Sequence, residues 1–87
     1  MIPEAYAVYL KTEKKMAENT SQAYLRDIRH FSDFAASRGI TDLQEVSSTD
    51  ILAYLMELKT GGRSKSTVNR KLASIRTFYQ YLIKKGV

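Results

Sequence analysis

The chain has 87 residues, 44% of them apolar, which gives room for one domain around one hydrophobic core. It contains no cysteine, which excludes a disulfide scaffold and a metal site built from thiolates. The net charge of +5 is uneven: residues 1–58 hold six basic and nine acidic residues, whereas residues 59–87 hold eight basic residues and no acidic one, which favours an anionic partner such as a nucleic acid or a membrane.

The N-terminal segment predicts a first helix from about Pro3 to Lys14. Pro3 and Glu4 are both favoured in the first turn of a helix. The apolar residues of this helix are dense rather than regularly spaced: Tyr6, Val8, Tyr9 and Leu10. The segment has no basic region followed by a long apolar run, so it predicts neither a signal peptide nor a membrane span, and we expect a cytoplasmic protein.

The second predicted helix has an uncertain start and a clear end. Asn19 and Thr20 can cap it, and Ala17 or Glu18 are alternative starts. Gly39 predicts the end, because glycine readily takes the left-handed conformation just beyond a helix. The apolar stripe consists of Tyr24, Ile28, Phe31 and Ala35. The outer face consists of Gln22, Arg26, Arg29 and Asp33.

A short connector and a third helix follow. The connector is expected to contact the core through Ile40, Leu43 and Val46. Ser47 and Asp50 form a capping-box pattern, which predicts a helix from about Ser48 to Lys59 that ends at Gly61 and Gly62. Its core stripe is predicted at Ile51, Leu55 and Leu58, widened by Leu52 and Tyr54.

The longest helical pattern covers Ser64 to Lys85, with Ser64 or Ser66 as its cap. The three-and-four spacing of the apolar residues predicts one buried stripe: Val68, Leu72, Ile75, Tyr79 and Leu82. The opposite face is small-sided and cationic: Ser66, Arg70, Ala73, Thr77 and Lys84, flanked by Asn69 and Ser74. From this helix alone, an anion-binding face and an ordinary solvated face are equally good interpretations. Arg70 should lie opposite the stripe, while Arg76 should lie beside it and contribute more to stability.

No stretch of strand periodicity occurs, so the sequence predicts an all-α fold of four helices. Residue patterns typical of catalytic or metal-binding sites are nearly absent. His30 lies three residues from Asp27 and from Asp33, but these are ordinary helix neighbours, and we expect a surface histidine. One histidine without cysteine does not make a usual zinc site. Gly61-Gly62-Arg63 lacks the pattern of a phosphate-binding loop. The six tyrosines fall mostly on apolar stripes. We expect no catalytic, metal or cofactor site and no small-molecule substrate.

Three stretches together resemble a known family. They are ENT followed by AYLRDIRHF in the second helix, ITDLQEV followed by DILAYL, and STVNRKLASIRTFYQYL in the fourth helix. In this order and spacing they are similar to the N-terminal core-binding domain of tyrosine recombinases of the Xer and phage-integrase type. The resemblance covers essentially the whole chain. It departs from the family at Lys15, where glycine is frequent, and at Ala17, where serine is frequent.

The resemblance implies a four-helix SAM-like domain that forms one half of a clamp around duplex DNA. The second and fourth helices of such a domain face the major groove and its flanking phosphates, and these are the two helices that carry outward arginines here. Arg70 is the strongest single candidate for a DNA contact. The full set of DNA-facing residues that the resemblance implies is Asn19, Thr20, Gln22, Arg26, Arg29, Lys65, Ser66, Asn69, Arg70 and Ser74.

The resemblance also implies that residues 1–87 are one domain of a longer recombinase. Strand exchange in that family needs a tyrosine nucleophile and cationic groups around the phosphate, held in a separate C-terminal catalytic domain. We therefore expect no strand cleavage by this chain, and a linker to begin near Lys84–Val87. The expected partners are duplex DNA and neighbouring protomers bound to it. The alternatives are a protein-interaction module, which requires an exposed apolar patch on helix 1 or helix 3, and a self-contained enzyme, which is disfavoured.

Overall fold

The computed structural model describes residues 2–86 and contains four α-helices, which confirms the predicted all-α class. The helices are α1 (Glu4–Thr12), α2 (Glu18–Ser37), α3 (Ser48–Thr60) and α4 (Lys65–Lys84), with a 3₁₀ turn at Leu43–Glu45. Within residues 2–86 there is no β-strand. The most extensive helix contact joins α2 and α4. These two helices run antiparallel, because Ser74 contacts Asp27, whereas Lys71, earlier on α4, contacts His30, later on α2.

Side-chain caps were predicted for three helices, and α3 and α4 have them whereas α2 does not. At α3 the Ser47 Oγ accepts from the backbone N–H of Asp50, and the Asp50 carboxylate accepts from the Ser47 N–H, so the predicted capping box is confirmed. At α4 the cap is Ser64 rather than Ser66. Helix α2 begins at Glu18 after Ala17, without a side-chain cap. The alternative start is therefore correct, and Asn19 and Thr20 lie in the first turn.

Glycine ends two of the helices as expected. Gly39 after α2 and Gly62 after α3 have φ values of +83° and +82°, a conformation in which a Cβ would be strained. Helix α1 stops at Thr12, two residues before the predicted Lys14. Helix α4 ends at Lys84, one residue before the predicted Lys85. The linker was expected to begin near Lys84–Val87, and of these residues Val87 lies outside the described part of the chain.

Aromatic contacts in the core join α2 to α3, where Phe31 packs edge-on against Tyr54, and α1 to α4. Tyr6 stacks edge-on against Phe78 and Tyr81, with ring centroids 5.1 and 5.2 Å apart. The connector is held as predicted: Leu43 is buried, Ile40 and Val46 are half-buried, and the Tyr79 hydroxyl donates a hydrogen bond to the Leu43 carbonyl.

Two predicted stripes need correction. On α3, Leu52 is 57% exposed, whereas Tyr54 and Leu58 are buried. On α4, the buried residues are Val68, Lys71, Ser74, Ile75, Phe78 and Tyr81. At 100° per residue, the centre of this set lies roughly 70° from the predicted stripe. Leu72, Tyr79 and Leu82 are consequently only half-buried. The physical reason is that α4 turns its aromatic residues toward α1 and its Lys71 and Ser74 toward an acidic partner on α2.

Candidate nucleic-acid interface

That acidic partner is Asp27, which lies where α2 and α4 cross and is 1% exposed. Arg70 donates to it twice, from Nε to Oδ2 at 2.8 Å and from Nη2 to Oδ1 at 2.9 Å. The Lys71 Nζ lies 3.2 Å from Oδ1, and the Ser74 hydroxyl donates to Oδ2 at 2.9 Å. A buried carboxylate needs such partners, because a charge without them is strongly disfavoured in the interior. We call these four residues the Asp27 network.

The network keeps its carboxylate ionised. Burial alone would raise the pKa of Asp27, but the hydrogen bonds from Arg70, Ser74 and Lys71 outweigh it, and the pKa is lowered. Lys71 extends the network to His30, whose Nδ1 lies 3.1 Å from the lysine Nζ. Since Lys71 is a donor, this contact needs an unprotonated Nδ1. Partial burial and the charge of Lys71 lower the pKa of His30 accordingly.

The structure leaves most of the sequence-predicted DNA-facing residues accessible on α2 and α4. Those that are exposed are Asn19, Thr20, Gln22, Arg26, Arg29, Lys65, Ser66, Asn69 and Arg70. Ser74 is fully buried against Asp27, so its assignment to the outer face of α4 is wrong. Arg70 also differs from the expectation of a freely solvated side chain, because it lies at the edge of the buried face and 41% of its side chain is exposed.

Sequence reasoning missed Asp27 and Lys71 as partners. One signal was present: Asp27 falls among the residues of the apolar stripe of α2, between Tyr24 and Ile28, where a carboxylate requires a cation. Nothing in the local pattern identified that cation, which lies 43 residues further along the chain in Arg70 and 44 in Lys71. His30 is exposed, as predicted, yet it contacts Lys71.

A second surface feature lies on the other edge of α4. An apolar groove between α3 and α4 is lined by Ile51, Leu72, Tyr79 and Ile83, with Arg76 at its rim. Ile83 is 75% exposed, and Met56 and Leu52 of α3 are also accessible. Arg76 is also exposed, and it lies beside this groove. The protein-interaction alternative required an apolar patch on helix 1 or helix 3, whereas this groove is lined mainly by α4, with Ile51 contributed by α3.

Residues 2–86 show neither a metal-binding cluster nor a membrane-spanning helix. In this part of the chain, no three histidine, cysteine or acidic residues come together as a metal site would require. None of its helices has both the length and the apolar character needed to span a membrane.

Comparison with known proteins identifies the family to which this chain is similar. The family model of the phage integrase N-terminal SAM-like domain matches residues 4–86. A tyrosine recombinase XerC of Listeria welshimeri is 37% identical over 86 residues, which are 99% of this chain and 29% of that protein. The XerC of Listeria monocytogenes serotype 4b is 40% identical over 91% of this chain and 26% of its own length.

A third relative, the XerC of Halalkalibacterium halodurans, is 39% identical over 92% of this chain and 26% of its own length. The chain thus spans less than a third of each of these relatives. No solved structure gives a significant match. Because the family model covers nearly all of a four-helix chain whose relatives are recombinases, the chain belongs to the phage integrase N-terminal SAM-like domain family.

Proposed function

We propose that this chain is the DNA-binding N-terminal domain of a tyrosine recombinase and that α2 and α4 contact duplex DNA. The observation that carries the proposal is the crossing of these two helices. There, the buried Asp27 of α2 holds Arg70 of α4 at the surface. Arg26, next to Asp27, and Ser66 and Asn69, just before Arg70, are exposed. Side chains of this kind bind phosphate oxygens and base edges.

The charge distribution supports the same surface. Helix α4 and the turn before it belong to the part of the chain that has eight basic residues and no acidic one. Arg26 and Arg29 on α2 are exposed and take part in none of the ion pairs found within residues 2–86. Such cations are available to replace the counterions that surround DNA.

A salt titration of the chain with a duplex of arbitrary sequence tests the proposal. We expect a dissociation constant on the order of 10⁻⁴ to 10⁻⁶ M at physiological salt, and a logarithmic affinity that falls steeply with the logarithm of salt concentration. Amide chemical shifts should change on α2 and α4. Changes confined to α1 and α3, or an affinity that does not depend on salt, would contradict the assigned surface.

The groove between α3 and α4 favours a second candidate function, the binding of another protein segment through apolar contacts. Ile83 and Leu72 would then be covered by the partner. The same titration separates the two candidates, because apolar docking has little dependence on salt whereas phosphate contacts have a strong one.

The remaining parts of the proposal concern the whole protein. The relatives are more than three times as long as this chain, and their printed names make them recombinases. We propose that the catalytic residues of the parent protein lie in its other domain, and that the tyrosines of this domain serve packing. Four of the six, Tyr6, Tyr9, Tyr54 and Tyr81, are buried. The parent would act in the cytoplasm, with neighbouring protomers on the same DNA, and this domain would need no cofactor.

A further inference from the structure

The proposed DNA surface contains one arginine whose orientation is fixed by the fold. Arg70 pairs side-on with Asp27, using its Nε–H and one Nη2–H. A guanidinium has five N–H donors in a rigid plane, so three remain, two on Nη1 and one on Nη2. The Asp27 side chain is 1% exposed and that of Arg70 is 41% exposed, so the three free donors lie on the solvent side of the pair.

The fixed orientation of Arg70 suits a pair of acceptors whose position relative to the helix is also fixed. Asp27 offsets part of the local charge, since the three charged groups of the network carry a net charge of +1 rather than +2. A guanidinium held by two hydrogen bonds also moves less freely than that of Arg26, which is exposed and outside the ion pairs of the described residues. An arginine fork can bind phosphate as well as a base, but phosphate contacts carry no sequence information, whereas a fork of fixed orientation can select a pair of acceptors at a fixed position relative to the helix.

The neighbours of Arg70 allow α4 to approach such an acceptor closely. At 100° per residue, Ser66, Ala73 and Thr77 lie on the same side of the helix as Arg70. All three have short side chains and are exposed or half-buried. No bulky side chain of α4 therefore flanks Arg70 on this side of the helix. A helix with this profile can enter the major groove, where the O6 and N7 atoms of guanine form a pair of acceptors that matches an arginine.

We propose that Asp27 is a positioning residue that holds Arg70 so that its free Nη1 and Nη2 donors bind the O6 and N7 edge of a guanine. This inference rests on the proposed DNA-binding function and adds a base preference to it. Arg70 then specifies sequence, while Arg26 supplies affinity through phosphates. The Lys71 ammonium and the Ser74 hydroxyl complete the shell around Asp27.

The test is a binding selection on the 87-residue chain with a library of duplexes of randomised sequence, followed by affinity measurements on an enriched and an unenriched duplex. The wild-type chain should enrich guanine at one position. Arg70→Lys keeps the charge but loses the fork, so it should lose the guanine preference and bind the enriched duplex on the order of 10-fold more weakly. Arg76→Lys, the matched change beside the apolar groove, should keep both.

Two further variants separate positioning from a merely structural role. Asp27→Asn should lose the guanine preference although Arg70 is intact, while its affinity for the unenriched duplex should not fall, because one negative charge has been removed. Arg26→Ala should weaken binding to both duplexes equally. Circular dichroism establishes that each variant is folded. A guanine preference that survives in folded Asp27→Asn would overturn the positioning role. If that variant does not fold, Ser74→Ala, which removes one hydrogen bond to Asp27, should weaken the guanine preference, and an unchanged preference would overturn the role.

The outcomes distinguish this inference from the function on which it rests. A guanine preference that survives in Arg70→Lys would overturn the inference, since a charge alone would then be sufficient. Binding without any base preference in the wild-type chain would also overturn it and would leave the DNA-binding function in place. Failure to bind any duplex would overturn the DNA-binding function itself.

Discussion

Arg70 and Arg76 lie six positions apart on α4 and have opposite surroundings. Arg70 is bound to a buried carboxylate, whereas Arg76 is exposed beside the α3–α4 groove. The amphipathic pattern predicted the reverse, with Arg76 as the packed residue. The difference follows from the rotation of α4, which brings Arg70 to the edge of the core and moves Arg76 away from it.

Replacement of each arginine by alanine should therefore have different effects on stability. Arg70→Ala leaves Asp27 buried with only Lys71 and Ser74 as partners. We expect a loss of about 1–2 kcal/mol, less than for a fully buried pair because Arg70 is partly solvated. Arg76→Ala should change the free energy of unfolding by no more than about 0.5 kcal/mol. Urea denaturation of the two variants measures both values, and equal midpoints would show that the Arg70–Asp27 pair does not stabilise the fold.

At the scale of secondary-structure elements, the α1–α2 connection contains a strained residue. Lys15 has a φ of 52°, and it is the one residue other than glycine with a positive φ between Ile2 and Gly86. In this conformation the Cβ lies close to the following carbonyl oxygen, which costs about 1–2 kcal/mol. The strain explains why glycine is frequent here in the family that the sequence resembles.

Lys15→Gly should consequently stabilise the chain. The relief of strain exceeds the additional entropy that glycine loses on folding, about 0.5–1 kcal/mol, so a gain of up to about 1 kcal/mol is expected. Lys14→Gly is the matched control: Lys14 is also exposed and has no positive φ, so glycine there should give no gain. Thermal melting compares the two variants. A lower melting temperature for Lys15→Gly than for the wild type would mean that the connection is not strained.

At the scale of the whole molecule, the Asp27 network links stability to pH. The pKa of Asp27 is lower in the folded chain than the value of about 3.9 for an unfolded aspartate. The fold therefore favours the ionised form. The stabilisation is fully present above about pH 4 and is lost as the pH falls through the lower, folded-state pKa.

Comparison with Asp27→Asn isolates this contribution. At pH 7 the variant should be less stable than the wild type, and the difference should narrow as the pH falls below about 4. The carboxyls of Glu18 and Asp50, whose pKa values are also lowered, titrate in both proteins. Denaturation curves across this range provide the measurement; a difference that stays constant would show that Asp27 is not the linked group.

The sequence by itself determined the class of fold, most helix boundaries and the two helices that carry the outward arginines. The capping box of Ser47 and Asp50 and the glycines at 39 and 62 are local signals, because each acts within a few residues of its own position. The family resemblance rested on similarly contiguous stretches.

Only the tertiary structure decided which face of α4 is buried. Apolar residues occur at most positions from Leu72 to Ile83, so periodicity alone could not select one face. The choice depended on the aromatic contacts of Tyr6 with Phe78 and Tyr81, and on Asp27, whose partners are more than 40 residues away in the chain. Such contacts depend on how α2 and α4 cross. For that reason the burial of Ser74 and the fixed orientation of Arg70 could not be read from the sequence.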